Sequence, residues 1–169
     1  KLIKTLIEMD YEFAIIRHDQ DLLANFKTQL EKHNQLTDKK LSEREFKKVL
    51  NHLAKGSIFD KAHTLRERFS MERDNGDILY LRFLNTEHWC QNEYQVTHQM
   101  RMEGKYHNRY DVTLLINGLP LVQIELKKRG MELKQAFHQI NRYQRHSFIA
   151  AHVLFQYVQI FAISNGVNT

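Results

Sequence analysis

The chain has one cysteine, Cys90, one proline, Pro120, and one tryptophan, Trp89, among 169 residues. A lone cysteine excludes an internal disulfide and a thiolate zinc centre, and it predicts a reducing, cytoplasmic setting. The ten histidines contain no H-E-x-x-H pair, so zinc hydrolase chemistry is not expected. With six glycines and one proline there is no Pro/Gly/Ser linker, and there is no repeat or low-complexity tract. No run approaches the roughly 18 apolar residues that a membrane span needs. No basic stretch leads into an apolar one in the manner of a secretory leader. A G-x-x-x-x-G-K-S/T loop is missing too, which excludes ATP binding through a P-loop.

What is present is 42% hydrophobic and 27% charged, the balance of a globular protein whose length favours one domain with a real core. The chain starts without methionine and stops just after an apolar segment, so a piece of a longer protein is expected. The formal net charge is +5, and its distribution is uneven. Between Arg101 and Arg145 there are nine Lys/Arg and four Asp/Glu, so this window carries the whole excess. Such a bias fits either a polyanionic partner or a solvated basic face.

Three helices are predicted first: Lys1 to about Met9, Asp19 to about His33, and Ser42 to about Lys55. The last opens on Ser-Glu-Arg-Glu, a capping box. Residues 56–76 read as polar and irregular, closing on an Asn75-Gly76 turn. The period then changes. Strands are predicted over 77–84, about 92–102, the two apolar runs of RYDVTLLINGLPLVQIELKKRG (109–130), and 156–164. Residues 131–147 return to helical spacing, with Leu133, Phe137, Ile140 and Tyr143 on one face. The expected architecture is mixed α/β: a mainly helical part over 1–76 and a sheet-containing core over 77–169, forming a single domain.

Asp111, Glu125 and Lys127 interrupt the two central apolar runs. They are either the solvated edge of an ordinary hairpin or a site. Alternation puts Val112, Leu114 and Ile116 on one strand face and Asp111 and Thr113 on the other. In the second run Val122, Ile124 and Leu126 oppose Gln123, Glu125 and Lys127. For the apolar faces to coincide and be buried, paired residue numbers must sum to an even number. A two-residue Asn117-Gly118 turn pairs Ile116 with Leu119 and gives the wrong parity. An odd loop of three or five residues is therefore predicted; the three-residue loop pairs Ile116 with Pro120 and sets Asp111 opposite Glu125. Facing carboxylates repel unless something offsets them, and a divalent cation is a natural offset. Glu-x-Lys occurs four times (Glu45-Lys47, Glu103-Lys105, Glu125-Lys127, Glu132-Lys134). Only Glu125-Lys127 lies on a predicted strand with an Asp opposite. Two acids, a metal and a lysine suit phosphodiester hydrolysis.

Asp111 followed by Glu125-Leu126-Lys127 resembles the motif of PD-(D/E)xK nucleases. The strings DVTLLINGLPLVQIELKKRG, QAFHQINRYQRHSF, LFQYVQIFAISNG and DLLANFKTQLEKHN are similar to the N-terminal nuclease region of type I restriction R subunits. The resemblance implies a restriction-endonuclease-like core, a mixed β-sheet flanked by helices with an N-terminal helical segment. It implies that Asp111 and Glu125 hold Mg²⁺, for which Mn²⁺ can substitute, and that Lys127 is the catalytic lysine. The family's Gln-x-x-x-Tyr element corresponds to Gln139 and Tyr143. Tyr110 stands where the motif has proline, and Glu8 is the candidate for a further acid from the first helix. Lys128, Arg129, Arg142 and Arg145 are candidate phosphate contacts. Implied partners are double-stranded DNA and the methyltransferase and specificity subunits. ATP would be used only by motor domains absent from this chain. The alternatives are a DNA-docking domain that does not cut in isolation and a stand-alone structure-specific nuclease. Arg66-Glu67-Arg68 and Lys39-Lys40 read as solvated surface, and Trp89 and Cys90 as packed or half-buried rather than chemical.

Overall fold

A computed structural model describes residues 1–102, 108–129, 153–167 and 169. The predicted helix over 131–147 lies outside the described residues. Four helices are described, α1 (Leu2–Glu8), α2 (Asp19–His33), α3 (Glu43–Leu53) and α4 (Ile58–Thr64). Seven strands accompany them: β1 (Glu12–Phe13), β2 (Arg68–Glu72), β3 (Ile78–Arg82), β4 (Tyr94–Met102), β5 (Asn108–Ile116), β6 (Leu119–Leu126) and β7 (Ile160–Ser164).

Local chemistry sets the helix starts. Ser42 Oγ accepts from the Glu45 amide at 3.1 Å, and Glu45 returns a carboxylate oxygen to the Ser42 amide at 3.0 Å. The predicted capping box is thus in place at α3. Glu45 also takes both Arg73 Nε and Nη2 at 3.0 Å, tying the β2–β3 turn to the helix. Residues 56–76, read as irregular, contain α4 and β2 instead. Ser57 and Asp60 form another capping box, and β2 pairs antiparallel with β3 while turning Met71 inward. Both elements are too short for their periodicity to stand out. The segment expected to be a strand over 156–164 begins as a 3-10 turn, Val153–Tyr157. There the buried Tyr157 hydroxyl donates to the Leu53 carbonyl at 2.9 Å, so this ring caps α3 and only the residues after it extend.

The main sheet has the order β1-β4-β5-β6-β7. β1 is parallel to β4, the β4–β5 and β5–β6 pairs are antiparallel, and β7 is parallel to β6. A five-stranded mixed sheet with helices packed on it is the expected α/β class. Leu22, Phe26 and Leu30 of α2 meet Leu115, Leu119 and Leu121 in one buried cluster with Val49 and Leu53 of α3. No helix among the described residues is long and apolar enough to cross a membrane.

The hairpin corrects one expectation. Ile116 pairs with Leu119 and Leu115 with Pro120 around a two-residue Asn117-Gly118 turn. Both turn residues have positive φ, 49° and 79°, the conformation that matches the twist of a tight hairpin. The odd residue is taken up by Leu121: the register shifts, and Leu114 pairs with Val122, Thr113 with Gln123 and Val112 with Ile124. A bulge rather than an odd loop therefore restores the even parity at the far end.

The depth of burial differs as well. The expected apolar face is only partly covered beyond Val112, with Leu114, Val122 and Ile124 half-buried and Leu126 41% exposed. The polar face is enclosed: Gln95, Thr97, Thr113, Gln123 and Glu125 are all buried. Hydrogen bonds make this tolerable. Thr113 Oγ1 donates to Gln123 Oε1 at 2.8 Å, and Asn25 of α2 donates to Gln95 Oε1 at 2.9 Å.

Candidate active site

Backbone pairing between β5 and β6 is last registered at Val112 and Ile124. One step further, a side chain replaces the ladder: Asp111 Oδ2 accepts the Leu126 amide at 2.8 Å. That amide lies between Glu125 and Lys127 in sequence, so the Asp111 carboxylate sits at the end of β6. Glu125 and Lys127, two apart on extended chain, project to the same side. Lys127 Nζ lies 3.2 Å from Glu125 Oε1, with side chains 19% and 4% exposed respectively. On the other flank the Lys127 amide donates to the Ser164 carbonyl at 2.8 Å, fixing the end of β6 against β7. The three predicted residues are therefore brought together.

The electrostatics are those of a buried carboxylate that needs positive charge nearby. Glu125 is 3% exposed, and an ionised group at that depth is costly unless paired and hydrogen-bonded. Lys127 supplies part of the compensation. Asp111 keeps its Oδ1 free of hydrogen bonds to described residues while Oδ2 is held by the amide. An all-oxygen donor set of two carboxylates fits a hard divalent cation such as Mg²⁺, which retains waters and takes further oxygens from a phosphate. Among the described residues no group of three or more His, Cys, Asp or Glu clusters. Glu8 instead sits on exposed α1, 3.8 Å from Lys4, and does not join the other two acids. Lys127 also lines a cleft of about 600 Å³ with Leu2, Thr5, Ile124, Leu126 and Ser164.

Lys128 and Arg129 follow β6 and are exposed. Gln139, Tyr143, Arg142 and Arg145 lie outside the described residues. Nothing in the residue pattern marks the Leu126 amide as a partner of Asp111, because every non-proline residue carries such a donor.

The five-stranded mixed sheet with its helices is a mixed α/β domain consistent with a nuclease-like fold. Comparison with known proteins shows the family: the chain belongs to the one described as type I restriction enzyme R protein N terminus, matched over residues 2–169. It is 43% identical over 171 residues to the endonuclease subunit of a type I restriction enzyme from Staphylococcus saprophyticus. A subunit of the same description from Staphylococcus aureus is 44% identical over 171 residues. Both alignments cover all of this chain and 18% of the relative. The EcoprrI endonuclease subunit of Escherichia coli is 37% identical over 172 residues, covering 100% of this chain and 55% of that protein. The chain thus spans about a fifth of the length of the staphylococcal relatives.

Proposed function

We propose that this chain is a single nuclease domain that hydrolyses phosphodiester bonds of double-stranded DNA. It would act within a type I restriction complex alongside methyltransferase and specificity subunits. Motor domains outside this chain would use ATP to move the DNA, and sequence recognition would belong to another subunit. The observation that carries the reading is the meeting of Asp111, Glu125 and Lys127 at the ends of β5 and β6.

Asp111, through Oδ1, and Glu125 would hold Mg²⁺, or Mn²⁺ in its place. When bound there, the cation supplies Lewis-acid polarisation of a phosphoryl oxygen. In the resting site Lys127 is a cationic partner of Glu125. With DNA present its ammonium would orient the attacking water or offset charge on the phosphoryl oxygens. Lys128 and Arg129 would hold the backbone through phosphates without reading bases. Gln139 and Tyr143, four residues apart in a stretch of helical sequence spacing outside the described residues, would act with the same site, and Arg142 and Arg145 would add phosphate contacts.

The test is calorimetric titration of Mn²⁺ into the wild type and into Asp111→Asn and Glu125→Ala, beside cleavage of supercoiled DNA by Lys127→Ala. Asp111→Asn keeps an acceptor for the Leu126 amide and removes the charge, so it separates metal binding from folding. Mn²⁺ uptake should disappear in both acid variants. Lys127→Ala should still bind DNA and cease to cut it. A wild type that takes up no Mn²⁺ with DNA present, or a Lys127→Ala variant that cuts normally, would refute the reading and favour a docking domain.

A further inference from the structure

Four non-glycine residues among those described have positive φ: Asp10, Gln35, Asn117 and Gln99. Asp10 and Gln35 follow the C-caps of α1 and α2, and Asn117 forms the hairpin turn. Gln99 alone of these four lies inside a strand, at φ 54° in β4. For a residue with a β-carbon this conformation is uphill, and a functional site is where such strain is retained.

The place of the strain is specific. His98 pairs with Val112 and Met100 with Tyr110, which leaves Gln99 across from Asp111. On its other flank β4 pairs Val96 with Phe13 and then donates the Arg101 amide to the Arg17 carbonyl at 2.8 Å. The β4–β5 register runs unbroken past this position, so the distortion lies in the backbone of Gln99 itself and not in an inserted residue. The neighbours are occupied: Thr97 and Met100 are buried, and the His98 ring rests on Phe13 at 5.4 Å between centroids. Gln99 is exposed, and its side chain makes no hydrogen bond to a described residue. A cationic side chain here would pair with Asp111 as Lys127 does with Glu125. An amide adds a donor without adding charge, and that donor matches a phosphate oxygen.

We propose that Gln99 is a DNA-backbone contact of the candidate site, its amide donating to a phosphate oxygen of the strand that lies over Asp111. This deepens the nuclease reading and rests on it. It explains why β4 keeps an uphill backbone at the one position facing the first carboxylate.

The experiment compares wild type, Gln99→Gly and Gln99→Glu in three readouts: thermal melting, Mn²⁺ calorimetry, and binding and cleavage of a short fluorescent duplex. Glycine relieves the backbone and removes the amide, so its melting temperature should rise by about 2–4 °C. Glutamate keeps the length, loses the donor and adds a charge that repels phosphate. Both should leave folding intact; glycine should weaken duplex binding by about tenfold, the loss expected for one hydrogen bond to a charged acceptor, and glutamate by at least that. Mn²⁺ affinity of the glycine variant should stay at the wild-type value. If the glycine variant binds and cuts like the wild type, Gln99 shapes the strand only and the inference is overturned, with the metal-site reading intact. If the wild type takes up no Mn²⁺ yet duplex binding still drops in both variants, the contact stands and the nuclease reading fails.

Discussion

Replacing Asn117 separates the backbone term from the hydrogen bonds that hold the central hairpin. Asn117 is 1% exposed and has φ 49°. Its Nδ2 donates to the Phe83 carbonyl and to Asn92 Oδ1, both at 2.9 Å, and its Oδ1 accepts the Glu93 amide at 2.8 Å. Alanine removes all three bonds, each contributing about 1 kcal/mol net. It also forces a residue with a β-carbon and no local hydrogen bond to keep positive φ, a further penalty of about 1 kcal/mol. Asn117→Ala should therefore destabilise by about 4 kcal/mol and Asn117→Gly by about 3 kcal/mol. The glycine loses the bonds but not the conformational fit. Urea unfolding monitored by circular dichroism measures both, and an unchanged m value would show that the unfolded state is unaltered. Asn117→Ala within about 1 kcal/mol of wild type would refute the buried network. Equal losses for alanine and glycine would refute the backbone term.

Gly118→Ala tests the same turn from its other residue. Its φ is 79° and an added Cβ would come within 2.8 Å of the Phe26 backbone, so unfolding experiments should show a loss of about 2–4 kcal/mol. Glu45 gives a pH dependence. The Arg73 guanidinium beside it, with backbone amides, holds its carboxyl at about 2 against 4.5 for the free group. A depressed folded value means the stabilisation is complete above pH 4.5 and is lost as pH falls toward 2. Acid titration of stability should show a loss of order 3 kcal/mol across that window. In Glu45→Gln that loss should be absent, and a parallel acid profile would sink the assignment. Lys61 is buried, and its ammonium donates to the Leu53 and Lys55 carbonyls at 2.8 and 3.0 Å. Lys61→Met leaves the Leu53 carbonyl its Tyr157 donor and strands the Lys55 carbonyl, so it should lower stability by about 1 kcal/mol, and a change under about 0.5 kcal/mol in urea melts would contradict the role.

The parts of the fold that show in the sequence are those whose pattern is local. α2 and α3 declare themselves through apolar spacing and a capping box, and β3 to β6 through alternation. α4 and β2 were missed because seven and five residues hold barely two turns or two repeats of a pattern. Parity fixed the register beyond Leu114 but not the device, since an odd loop and an even turn with a bulge restore the same pairing. Alternation points to the polar face as the open one, and it is the buried one. Its cover depends on Asn25 reaching Gln95, a partner 70 positions away, and composition carries no mark of that contact. At the candidate site the spacing of Asp111, Glu125 and Lys127 is legible, but the Leu126 amide is not. Nor is Gln99, whose distinction is a backbone angle that glutamine does not advertise.

The bond from the Leu126 amide to Asp111 bears on how a cation would be captured. A carboxylate on a free loop has rotamers to surrender when it binds, and each immobilised side chain costs about 0.5–1.5 kcal/mol. Asp111 has surrendered them already, because one of its oxygens closes the end of the β5–β6 pairing. The ordering entropy of this ligand therefore belongs to folding and not to binding. Loading the site should leave the two strand ends where they are and draw its entropy change mainly from the water that the ion releases.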